Sequence, residues 1–125
     1  NHMYKRKILN LIILIVGMVV LFSCEYEKIQ YEAPPDPTIP VSYSAEIQPI
    51  WDAKCVGCHA PGKTAPDLTP ANSYNKLFEG GYVDTITPKS SIIYTRMNGG
   101  SMASFTNVQD ANLVLVWIQQ GAKNN

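Results

Sequence analysis

The feature that most constrains this chain is the run Cys55-Val56-Gly57-Cys58-His59. Haem b carries vinyl groups on two neighbouring pyrrole rings. Two thiols three positions apart, at the end of a helical turn, can each add across one vinyl. The histidine directly after the second thiol then lies under the iron as its proximal ligand. Other uses of the motif need partners that the sequence does not supply. A structural zinc site takes four ligands, usually as two separated pairs, and only Cys24 and His2 remain to complete one. A thioredoxin-like Cys-x-x-Cys follows a strand in a βαβ setting, and no segment here reads as a strand. A small local disulfide between Cys55 and Cys58 is the third alternative.

The 125 residues are enough for one domain, but they are not uniform. Met3 is a natural start, and Lys5-Arg6-Lys7 forms a positive lead. The apolar run from Leu11 to Phe22 is interrupted only by Gly17. Its length suits the apolar part of an export signal and falls short of the ~20 residues that span a bilayer. It ends Leu21-Phe22-Ser23-Cys24, which resembles the lipobox of bacterial lipoproteins. That resemblance implies cleavage before Cys24 and acylation of Cys24. The alternative is an uncleaved helix that anchors the chain. Both place the domain at the cell envelope of a Gram-negative bacterium, as a periplasmic or outer-membrane protein. Glu25 and Glu27, directly after Cys24, resemble a cue for surface export. Pro34, Pro35, Pro37 and Pro40 make residues 24–42 an extended, semi-rigid spacer. The expected division is therefore a signal over 1–23, an acylated tether over 24–42 and a folded domain over 43–125.

About 83 residues then remain to fold, and a domain of that size buries only about 60–65% of its unfolded surface. A buried prosthetic group adds apolar volume where the polypeptide is short of it. Ten basic residues balance ten acidic ones; losing Lys5, Arg6 and Lys7 leaves seven against ten, a net of −3. No basic stripe or basic–aromatic interleaving suggests nucleic acid. A mildly acidic surface suits a basic redox partner.

The fold reads as all-α. Ile47, Ile50, Trp51 and Cys55 share one helical face. Pro49 is tolerated in a first turn, so a helix is expected to begin near Ile47, capped by Ser44 or Glu46. Residues 60–72 read as loop. Short helices are expected over 73–79, closed by Gly80-Gly81, and over 88–97. The last helix is capped by Asn107 with Asp110 at its third position. Its apolar stripe is Leu113, Val114, Trp117 and Ile118. Trp51 and Trp117 are expected in the core, and Trp117 shares it with the Ile47–Ile50 face.

Once residues 1–23 are removed, His59 is the only histidine, and Met97 and Met102 are the only methionines. Met102 follows Gly99-Gly100 in a loop, from which a thioether can approach iron without moving a helix. Met97 falls on an expected helix, where packing is the commoner role for methionine. Met102 is thus the first choice of sixth ligand, with Met97 or an open site as alternatives. Tyr74, Tyr82, Tyr94 and Arg96 are candidate donors to haem propionates, Arg96 foremost.

From residue 43 to 123, about two thirds of the chain, the sequence resembles small, lipoprotein-anchored class I monohaem c-type cytochromes. The similar segments are Glu46-Ile47-Gln48-Pro49-Ile50-Trp51 before the motif, Ala65-Pro66-Asp67-Leu68, Gly99-Gly100-Ser101-Met102, and Trp117-Ile118-Gln119-Gln120-Gly121-Ala122. Ala103 stands where the family has a proline after the methionine. The resemblance implies a helical fold around one haem c, bound through Cys55 and Cys58, with His59 and Met102 on the iron. It implies that the Pro66 carbonyl accepts the His59 ring N–H, with Leu68 in the same segment beneath the haem. The function implied is single-electron carriage between redox partner proteins, by a monomeric domain that is not an enzyme. A haem sensor or peroxidase with a displaceable sixth ligand is the rival. If the lipobox reading holds, full-length protein carries acyl mass on Cys24 and resists salt washing from membranes, because several chains bind far better than one. Cys24→Ser should abolish both, as mass spectrometry and membrane fractionation would show.

Overall fold

The computed structural model describes residues 1–20 and 33–125. Cys24 and the expected cleavage site lie outside the described residues. Contacts divide the chain into two units, Asn1–Tyr31 and Glu32–Asn125. In the first, α1 (His2–Val20) is a single helix whose apolar side chains from Met3 to Leu14 are exposed. Among the described residues, no helix is long and apolar enough to cross a membrane.

The second unit is all-α among its described residues. A π-type turn over Tyr43–Ile47 runs into α2 (Gln48–Lys54), followed by α3 (Ser73–Glu79), a 3-10 turn at Pro88–Ser90, α4 (Ile92–Met97) and α5 (Val108–Gln119). The first helical segment starts four residues before the expected Ile47, and its cap is Ser42, not Ser44 or Glu46. The Ser42 hydroxyl accepts from the Ala45 amide, and the Glu46 carboxylate accepts from the Ser42 amide at 2.7 Å. Glu46 thus serves the same start from inside the helix, as the far member of a capping pair. Pro49 lies in the first turn of α2, where its missing N–H costs nothing.

The expected helix over 88–97 is broken at Ser91, which is extended (φ −54°, ψ 130°). The buried Ser91 hydroxyl accepts from the Asp84 amide at 2.9 Å and donates to the Asp84 carbonyl at 3.1 Å. Those two bonds reward a break that apolar spacing does not show. The helices over 73–79 and 108–119 match expectation. At the second, the Asn107 side chain accepts from the Asp110 amide at 2.7 Å, and Asp110 returns a bond to the Asn107 amide. The buried face of α5 is wider than expected, taking in Ala111, Leu115 and Val116, while Leu113 is only partly buried.

One core joins Ile47, Ile50 and Trp51 to Leu77, Ile93, Met97, Val114, Trp117 and Ile118. Trp51 and Trp117 are both buried in it, as expected. Tyr43 leans on Trp117, with ring centres 5.1 Å apart. A polar chain threads the same core. The Trp51 indole donates to the Tyr43 hydroxyl (3.3 Å), which donates to Ser73 (2.7 Å), which donates to the Gln48 side-chain carbonyl. The Gln48 amide then donates to the Leu68 carbonyl (3.0 Å) and to Asp52 (2.8 Å). No buried side-chain polar atom in the described residues lacks a partner. Burial pushes the Tyr43 phenol up from its ordinary range, so the hydroxyl stays a donor.

The compact unit begins before the expected boundary at Tyr43. Val41 is buried, and its amide donates to the Gln120 side chain at 2.8 Å. The Gln120 amide donates in turn to the Pro37 and Ile39 carbonyls. Ser73→Ala should cost about 1–3 kcal/mol, because it strands the Tyr43 hydroxyl and the Gln48 carbonyl inside the core. Asn107→Ala, at an exposed cap, should cost about 1 kcal/mol. Urea unfolding of both variants measures the difference.

Candidate functional site

The Cys55–His59 run continues directly from α2. The Cys55 and Val56 amides donate to the Trp51 carbonyl at 2.8 and 3.0 Å, and the Cys58 and His59 amides donate to the Cys55 carbonyl at 3.1 and 2.9 Å. Buried Trp51 thus fixes the start of the motif, and each later residue hangs from the one before. Both thiols are free, Cys55 half-buried and Cys58 exposed. Burial pushes the Cys55 thiol up to about 11, with the Asp110 carboxylate adding to the rise and Lys54 opposing it. A redox dithiol needs the opposite shift, towards a stable thiolate. Lys54 is paired with Asp110, which ties the end of α2 to the start of α5.

After His59 the chain doubles back beneath its own ring. The Thr64 amide donates to the Cys58 carbonyl (3.2 Å), and the Leu68 amide donates to the His59 carbonyl (2.9 Å). The Lys63 ammonium donates to the Gly57 carbonyl at 2.8 Å. Asp67 accepts from the amide and hydroxyl of Thr69, which hold its carboxyl below the usual range, and from Asn72. These bonds carry Pro66, buried and joined to Ala65 by a cis peptide, under His59. His59 Nδ1 lies 3.2 Å from the Pro66 carbonyl oxygen. A carbonyl only accepts, so this pairing requires the proton on Nδ1 and leaves Nε2 with a free lone pair.

His59 also lines two adjoining cavities, of about 200 and 220 Å³, that share Thr64, Ile93 and Met102. The first is walled by Trp51, Cys55, Cys58, Met97 and Phe105. The second is walled by Pro66, Tyr82, Ile92, Arg96 and Ser101. Together they reach the lower part of the roughly 300–1,000 Å³ typical of small-molecule sites. Both thiols, the imidazole and the Met102 thioether therefore meet at one largely apolar cleft. An imidazole nitrogen and a thioether sulfur are both ligands that haem iron takes, so the donor set fits the expected group. Cys55 and Cys58 would hold it covalently, with His59 and Met102 at its metal. Among the described residues, no three His, Cys, Asp or Glu side chains gather as a metal site without a prosthetic group would require.

The other expected site residues divide. Leu68 is buried in the core and lines neither cavity, with its carbonyl held by Gln48. Arg96 lies at the edge of the second cavity, donating to the Ser101 hydroxyl at 3.0 Å. Of the three tyrosines, only Tyr82 reaches the cleft. Tyr74 donates to the Ala122 carbonyl, and the Tyr94 hydroxyl accepts from Asn98. Met97 lines the first cavity from α4 and is buried among core side chains. Thr64 and Phe105 were not foreseen; Phe105 is 62% exposed, an apolar ring at the edge of the first cavity.

The chain matches no protein-family model, no curated protein and no solved structure. In protein made without cofactor maturation, alkylation at pH 9 should modify exposed Cys58 at least about ten-fold faster than half-buried Cys55, since a thiol pushed up to about 11 is about one part in a hundred thiolate at that pH. The Cys55 rate should keep rising towards pH 11. Peptide mapping after timed quenching reads both.

Proposed function

We propose that this protein is a monohaem c-type cytochrome that carries single electrons. The observation that carries this reading is the His59–Pro66 pair beside two free thiols and a methionine-lined cleft. The family resemblance implies this pairing, and His59 Nδ1 lies 3.2 Å from the Pro66 carbonyl oxygen. In this reading Cys55 and Cys58 bind haem c through thioethers. Pro66 holds the His59 proton at Nδ1, which fixes the ring and strengthens Nε2 as a ligand. Met102 supplies the sixth ligand from its loop. Trp51, Ile93 and Met97 line the cleft with apolar surface. Haem c, when bound, supplies one-electron exchange between ferric and ferrous iron, at a potential raised by the His/Met pair. Electrons pass to redox partner proteins across the exposed side of the cleft. Lipid on Cys24 would keep this exchange at the envelope.

Protein matured with haem should retain it through acid–acetone extraction and give the shifted pyridine haemochrome of two thioethers. Extractable haem, or none after proper maturation, removes the proposal. Met102→Ala should abolish the weak far-red sulfur-to-iron band, lower the potential and open the iron to carbon monoxide. Met97→Ala should keep the band and cost about 2–5 kcal/mol of stability as a core truncation. A band that survives both changes marks an open site, and the sensor or peroxidase reading then leads.

A further inference from the structure

Met102 belongs to no helix. It lies in the loop over 98–107 between α4 and α5, and it lines both cavities. Three contacts press that loop onto the last turn of α4. The Met102 amide donates to the Arg96 carbonyl at 2.9 Å. The Arg96 guanidinium donates to the Ser101 hydroxyl at 3.0 Å. Gly100 comes so close that a Cβ there would meet the Thr95 carbonyl oxygen at 2.4 Å, the Arg96 Cα at 2.7 Å and the Arg96 carbonyl oxygen at 3.0 Å. All three are backbone atoms and cannot swing aside as a flexible side chain would. On its other side the Met102 carbonyl accepts from the Phe105 amide (3.0 Å) and the Thr106 hydroxyl (3.3 Å). The base is firm, because α4 is seated in the core by Ile93 and Met97, and the Ile93 amide donates to the Tyr82 carbonyl.

The neighbouring Gly99 differs in kind. It has φ +82° with nothing within 4 Å of a Cβ, so its need is conformational and not steric. Gly100 alone is required by contact with α4.

We propose that Gly100 is the positioning residue for Met102. Its missing side chain lets the loop close on α4, and the Arg96 carbonyl and guanidinium then latch it. This rests on the reading of Met102 as the sixth ligand. A loop held off by a Cβ draws the thioether back, and the sixth position becomes available to an external ligand in proportion to the time spent open.

The test uses full-length haem-loaded protein, with imidazole as the external ligand. Wild type, Met102→Ala, Gly100→Ala and Ser101→Ala are compared in the ferric form. Covalent haem should persist in all four. Gly100→Ala should lose most of the far-red band and bind imidazole at least about ten-fold more tightly than wild type, and Ser101→Ala about three-fold more tightly. The Met102 amide should exchange with deuterium at least about ten-fold faster in Gly100→Ala, because its bond to Arg96 is broken. A Gly100→Ala protein with wild-type band, imidazole affinity and exchange overturns the proposal. If Met102→Ala itself keeps the band, the ligand reading has failed, and the Met102 amide exchange in Gly100→Ala decides the latch alone. If Gly100→Ala does not fold, Ser101→Ala decides, and wild-type values for its imidazole affinity and amide exchange overturn the latch.

Discussion

The bond between His59 Nδ1 and the Pro66 carbonyl is short in sequence and long in its dependencies. The partners lie seven positions apart, and each is placed largely by other parts of the fold. The histidine is set by amides that hang from Cys55 and Trp51, so it inherits its position from α2. The proline is set by the segment ending at Leu68. That segment is pinned twice, by the Leu68 amide on the His59 carbonyl and by Gln48 on the Leu68 carbonyl. Gln48 is in turn oriented by Ser73 and Tyr43. The imidazole's tautomer thus depends on a polar chain running through the core to α3. A buried network of this sort is stabilising only when every member is satisfied, and here every member is.

That dependence separates two kinds of polar residue that look alike in a sequence. Ser73, Gln48 and Tyr43 fall at ordinary positions, and none belongs to a chemical motif. Their role exists only once three segments meet. The Cys55–His59 run is legible alone because its chemistry is local: two thiols, one imidazole and a fixed spacing. The pairing of Pro66 with His59 was legible through resemblance, since a carbonyl leaves no mark on residue identity.

The same contrast runs through the fold. The last helix was readable because its cap, its acidic third residue and its apolar stripe agree. The helix over 73–79 was readable because paired glycines stop it. The break at Ser91 was not, since a serine between Lys89-Ser90 and Ile92-Ile93 carries no turn signature, and its reason is the backbone of Asp84. The start at Ser42 was missed for a related reason: two serines and a glutamate all offer a cap, and the Ser44 amide is taken instead by the Asn125 backbone carbonyl. The attachment of Pro37, Ile39 and Val41 to Gln120 was hidden by composition, because a proline-rich stretch reads as free chain until a partner appears.

That attachment has a mechanical consequence. Gln120 grips the stretch from Pro37 to Val41, and Asn125 grips Ser42, Tyr43 and Ser44, so both ends of the folded unit are fastened at one corner. The loop bearing Met102 is fastened elsewhere, to α4. Tension applied through the proline-rich stretch therefore loads the Gln120 and Asn125 bonds first. None of those bonds involves a residue that lines the cleft, so a pull at this corner is borne away from it.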